Sequence, residues 1–130
     1  MLVIDASALF EVVADTPLAE QVRSRISQDE ERAAPHVIDV EVLGIIRREY
    51  LRGALDRTAA YMAVQNLRDW PVQRIGHRFL LDRAWELRDN VRGWDAFYVA
   101  LAELVDATLL TLDARLSRAP GLECNIEVLR

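Results

Sequence analysis

The chain has 130 residues, 52% of them apolar, which suits one compact domain with its own core and is too short for two ordinary ones. A net charge of −5 and a pI near 5.0 repel phosphate backbones over most of the surface, so any nucleic-acid contact must be local. All 16 basic residues are arginine, and the absence of lysine excludes Walker A phosphate binding, Schiff-base chemistry and lysine-dependent phosphotransfer sites.

The single cysteine, Cys124, has no intrachain partner and reads as a structural or incidental thiol. No apolar run approaches the roughly 18 to 20 residues that a bilayer span requires. The first segment reaches Asp5 without a basic stretch, so the expected location is cytoplasmic.

Leu2 to Asp5 is an apolar run ending in an acid and reads as a buried strand, with Ser7 to Val13 continuing at helical spacing. Thr16-Pro17 starts a second helix with Leu18, Val22 and Ile26 on one stripe. A very short strand fits Ala33-Ala34, and Ile38 to Arg52 then forms a helix closed by Gly53, with Glu41 in its first turns.

Asp56 caps a helix through Leu67, and Trp70 to Ile75 suggests a short strand kept near an edge by Pro71. From His77, apolar residues recur at helical spacing to about Asn90. Gly93-Trp94-Asp95 opens a helix apolar on most sides, and Thr108 to Asp113 is a second apolar strand ending in an acid. A short helix from Ala114 to Ala119, a Pro120-Gly121 turn and a strand from Ile126 to Leu129 complete the chain. Short strands alternating with helices predict a single domain of the α/β class, a three-layer sandwich around a parallel sheet, with its site beyond the carboxyl ends of the strands.

Two strands therefore deliver Asp5 and Asp113 to one sheet edge. Glu41 shares a helical face with Val37, Ile38, Gly44 and Ile45, an inward-looking environment in which a glutamate needs a partner. Asp95 begins a buried helix that abuts the same region. Singly, each acid has a plain explanation: Asp5, Asp95 and Asp113 as helix caps, Glu41 as partner of an arginine such as Arg48.

Together the plain readings weaken, because two unit charges roughly 4 Å apart repel by about 4 kcal/mol at an effective dielectric of about 20. Converging carboxylates need a cation or protons. Oxygen ligands without a suitably placed cysteine or histidine select Mg²⁺ or Mn²⁺, with His36 and His77 read as isolated and structural. Such a site suits phosphodiester hydrolysis.

The blocks Val-Ile-Asp5-Ala-Ser7-Ala-Leu, Pro35-His-Val-Ile-Asp-Val-Glu41-Val-Leu, Trp94-Asp95-Ala-Phe-Tyr-Val-Ala-Leu-Ala102 and Leu-Leu-Thr111-Leu-Asp113-Ala-Arg-Leu span nearly the whole chain. In that order they resemble the PIN-domain ribonuclease toxins of the VapC type. The resemblance implies a PIN-like three-layer fold and Mg²⁺- or Mn²⁺-dependent endoribonuclease activity on an RNA substrate. It also implies homodimerisation and neutralisation by a VapB-type antitoxin.

Carried over position by position, Asp5, Glu41, Asp95 and Asp113 match the family's acidic quartet of catalytic metal ligands, and Ser7 and Thr111 its supporting hydroxyls. Arg115 is a candidate for holding RNA phosphate. The helices from Ile38 to Arg52 and Asp56 to Asp69 carry much apolar surface for a small domain, among it Leu43, Tyr50, Tyr61 and Met62; core packing accounts for most of it, and an antitoxin groove or dimer face is the expectation for the rest. The competing reading is a catalytically silent module that binds RNA or protein without hydrolysis.

Overall fold

The computed structural model describes residues 1–129 and is built around five parallel strands in the order β3-β2-β1-β4-β5. These are β1 (Leu2–Ile4), β2 (Arg32–Pro35), β3 (Gln73–Ile75), β4 (Thr108–Thr111) and β5 (Ile126–Val128). The helices are α1 (Ala6–Val13), α2 (Ala19–Ile26), α3 (Val37–Leu51), α4 (Arg57–Asp69), α5 (Leu81–Glu86), α6 (Asp95–Leu104) and α7 (Ala114–Ser117).

Strand β1 is central, pairing with β2 on one side and β4 on the other, and Leu2, Val3 and Ile4 are fully buried, as expected of a strand covered on both faces. From β1 the chain steps outward to β2 and β3, then returns across the sheet to β4 and β5. With right-handed crossovers, the two directions of travel put α1–α4 on one face and α5–α7 on the other. Consistently, α1 packs against α2, α3 and α4, whereas α6 crosses β1, β2 and β4 and carries α5. The direction of winding reverses between β1 and β4, and crevices for ligands form beyond the strands' carboxyl ends at such a point.

Local chemistry sets several boundaries. Asp56 accepts the Ala59 amide at 2.7 Å and starts α4. Gly53, with φ of +85°, ends α3 in the left-handed conformation that glycine adopts without penalty. Arg74 ties β3 down: its guanidinium binds Asp39 of α3 at 2.9 Å and the carbonyls of Leu67 and Trp70 at 2.6 and 2.9 Å.

The segment from His77 departs from the expected single helix. Arg78–Leu80 is a 3₁₀ turn, α5 stops at Glu86, and the chain reaches Asn90 through further turns. The Arg88 and Asn90 amides bond three residues back, to Trp85 and Leu87. Leu80, Leu87 and Val91 remain buried throughout, so the apolar spacing survives the change in winding.

Candidate active site

Asp5 follows β1 directly, is 5% exposed, and caps α1 by accepting the Ala8 amide at 3.0 Å. The same oxygen, Oδ1, takes the Ser7 hydroxyl proton at 2.6 Å, while Oδ2 takes that of Thr111 at the end of β4. Each hydroxyl in turn accepts a backbone amide from the β4–α7 turn: Leu112 donates to Ser7 Oγ and Asp113 to Thr111 Oγ1, both at 3.0 Å. Since both hydroxyl protons are committed to Asp5, the 3.4 Å approach of Ser7 Oγ to Thr111 Oγ1 is a contact between acceptors. Burial pushes the Asp5 carboxyl upward, and these hydrogen bonds to its charged form pull the other way. Two of these bonds fall on Oδ1 and one on Oδ2, and the Ser7 backbone amide also favours the charged form.

Glu41 and Asp95 approach from opposite faces of the sheet. Glu41 is half-buried on α3, next to the wholly buried Ile38 and Val42. Burial, together with the charges of Asp95 and Asp5, pushes its carboxyl up to about 7 despite the nearby Tyr98 hydroxyl, which favours the charged form. The plain pairing with Arg48 does not occur: Arg48 is 3.6 Å from Glu49, and Glu41 Oε1 is buried without a hydrogen-bond partner. Tyr98 is fully buried on α6, and its hydroxyl stops short of a formed hydrogen bond with that oxygen. Asp95 opens α6 after Gly93, whose φ of +46° turns the chain inward. Burial, then the charges of Asp5 and Asp113, raise it to about 6, with Arg92 and Arg115 opposing.

Asp113 is the outermost acid. It caps α7 through the Arg115 amide at 2.9 Å and pairs with the Arg115 guanidinium at 3.2 Å, which holds its carboxyl below the usual range. Asp95, Asp113, Asn90, Arg92 and Arg115 line an open cleft of about 210 Å³. Asp5, Glu41, Asp95 and Asp113 thus meet at one sheet edge closely enough for their charges to interact. Among the described residues, no three histidine, cysteine, aspartate or glutamate side chains are close enough to hold one ion as they lie.

Tyr98 and Arg92 were not among the residues singled out from sequence. Tyr98 follows Asp95 by three residues, hence on the same helical face, and that spacing was the available signal. His36 and His77 are neighbours at the ends of β2 and β3, not isolated: their rings lie 6.4 Å apart, edge to face, and His77 also meets Phe97 at 5.5 Å.

The PIN domain family matches residues 2–122 of this sequence. The chain belongs to the PIN-domain family. It is similar to Ribonuclease VapC3 of Mycobacterium tuberculosis, with 43% identity over 121 residues covering 91% of this chain and 86% of that one. Ribonuclease VapC1 of the same organism is 36% identical over 129 residues, covering 98% of this chain and 97% of the relative. Among solved structures, VapBC2 from Rickettsia felis bound to a DNA fragment from their promoter superposes with a TM-score of 0.69 at 12% identity, covering 99% of this chain and 98% of that one. In this PIN domain the sheet's winding reversal brings Asp5 and Asp113 together, while α3 and α6 bring Glu41 and Asp95 from the two covering layers.

Proposed function

We propose that this PIN domain is a metal-dependent endoribonuclease, the toxin of a toxin–antitoxin pair, with Mg²⁺ or Mn²⁺ held by Asp5, Glu41, Asp95 and Asp113. The observation that carries the reading is the meeting of Asp5, Glu41 and Asp95 in half-buried or buried positions where burial and mutual repulsion oppose their ionisation. A hard cation would relieve that repulsion. The donor set is all oxygen and Glu41 Oε1 is buried and unpartnered, so the residues fit such an ion. The likeness to ribonucleases covering almost the whole chain supports the same activity.

When bound, the ion supplies a water of lowered pKa and positive charge against the crowded phosphoryl oxygens. Ser7 and Thr111 hold Asp5 in one rotamer by binding both of its oxygens. Asp95 and Asp113 line the cleft into which an RNA strand would pass, and Arg115, which is 72% exposed, reaches from the rim toward phosphate while masking Asp113. An RNA phosphate at Arg115 would compete with that ion pair and free Asp113 for the ion or its waters.

The partner is a VapB-type antitoxin, in keeping with the solved VapBC2 complex. The exposed Leu43, Tyr50 and Tyr61 border an apolar groove between α3 and α4 that suits a partner segment, and the PIN domain is proposed to act as a homodimer in the cytoplasm. No helix among the described residues is long and apolar enough to cross a membrane. The test is cleavage of labelled single-stranded RNA by purified protein in EDTA, then with Mg²⁺ or Mn²⁺ restored. Products only when the metal is restored support the reading; RNA retained uncut under saturating metal supports a silent binding module instead.

A further inference from the structure

A second groove, of about 320 Å³, lies beside the acidic cleft and has no part in the site described above. Trp85, Arg88, Val91, Gly93 and Phe97 are among its walls, and no carboxylate lines it. The two clefts are neighbours. Val91 lines both, and on α6 Asp95 faces the acidic cleft while the next two residues, Ala96 and Phe97, face the groove.

Trp85 is 67% exposed, an unusual position for the largest apolar ring unless something covers it. The Arg88 guanidinium carbon sits 4.4 Å from the Trp85 ring centroid, a cation–π contact that holds the ring in place. Among the described residues neither Arg88 nor Arg92 has a carboxylate within 4 Å, and Arg92, whose charge acts on Asp95 and Asp113 from farther away, stands in the turn between the two clefts. Aromatic faces with arginines beside them are how proteins hold unpaired bases, through stacking that any base can provide, with the cations meeting the backbone.

We infer that the Trp85 groove seats an unpaired base of the RNA strand next to the scissile phosphate, with Arg92 holding the phosphate that joins the two clefts. The inference rests on the ribonuclease reading and adds to it a seat for the base beside the scissile phosphate. The α3–α4 groove also sets arginines beside tyrosines, but it shares no lining residue with the acidic cleft, whereas the Trp85 groove shares Val91 with it.

The test compares KM and kcat of wild type, Trp85→Ala, Trp85→Phe and Arg92→Gln on a labelled single-stranded RNA of mixed sequence in Mn²⁺, with solution mass measured by light scattering. Trp85→Ala is expected to raise KM about tenfold with kcat nearly unchanged, and Trp85→Phe to retain wild-type values. Arg92→Gln should raise KM and flatten its salt dependence by about one phosphate contact. Unchanged KM in Trp85→Ala and Arg92→Gln overturns the inference and leaves the ribonuclease reading standing. A change of solution mass without a change of KM also overturns it, assigning the groove to a second copy of the chain. If wild type cleaves no RNA, both readings fall.

Discussion

Thr111 donates its hydroxyl to Asp5 Oδ2 across 106 positions of sequence, and the same oxygen atom of Thr111 accepts the Asp113 amide at 3.0 Å. One side chain therefore fixes the rotamer of a buried acid and the turn that delivers a second acid.

Thr111→Val keeps the shape and removes both bonds. It is expected to destabilise the domain by about 1–3 kcal/mol, because a buried carboxylate oxygen and a backbone amide lose partners together. Urea unfolding of the metal-free protein measures this, and a change within error of zero would mean that water replaces the hydroxyl.

Metal-free stability should fall as pH rises from about 5 to 8. Glu41 and Asp95, raised to about 7 and about 6, bind protons more tightly folded than unfolded, so their contribution is fully present below the ordinary carboxyl range and is lost through the folded values. The loss is about 3 kcal/mol for a shift of this size. Thermal unfolding across that range checks it: the slope should shrink in Glu41→Gln and when Mn²⁺ is added, and a flat metal-free profile would contradict the proposed crowding.

Much of this site is legible in the sequence because each acid ends or interrupts an apolar pattern. Asp5 and Asp113 close buried runs, Glu41 breaks an inward face and Asp95 opens a buried helix. The anchor at Arg74 is not legible, since its carboxylate partner Asp39 is 35 residues away and its other acceptors are backbone carbonyls. Nor does periodicity distinguish α5 from the turns after it, because Leu80, Leu87 and Val91 stay buried whether amides bond three or four residues back. The paired role of Ser7 and Thr111 came from family resemblance; hydroxyls so common in turns carry no signal of their own.

Arg74→Met should cost about 2–4 kcal/mol in equilibrium unfolding, since the Asp39 carboxylate and the Leu67, Trp70 and Val72 carbonyls lose a partner that is only 22% exposed. A loss below about 0.5 kcal/mol would show the network to be ornamental.

Tyr98→Phe separates two descriptions of the Tyr98 hydroxyl. As a buried group without a formed hydrogen bond, its removal should be neutral or stabilise the metal-free fold by about 1 kcal/mol. Marked destabilisation would mean that it holds Glu41 after all.

Asp95 is the acid whose ionisation is opposed by the charges of both Asp5 and Asp113. The decisive measurement is the rate of RNA cleavage by Asp95→Asn against wild type over a titration of Mn²⁺, with both folds verified by circular dichroism. The expected result is a metal-dependent wild-type rate reduced at least about 100-fold in the variant, in line with losing one charge-stabilising group. Equal rates, or cleavage by wild type that persists in EDTA, would contradict it.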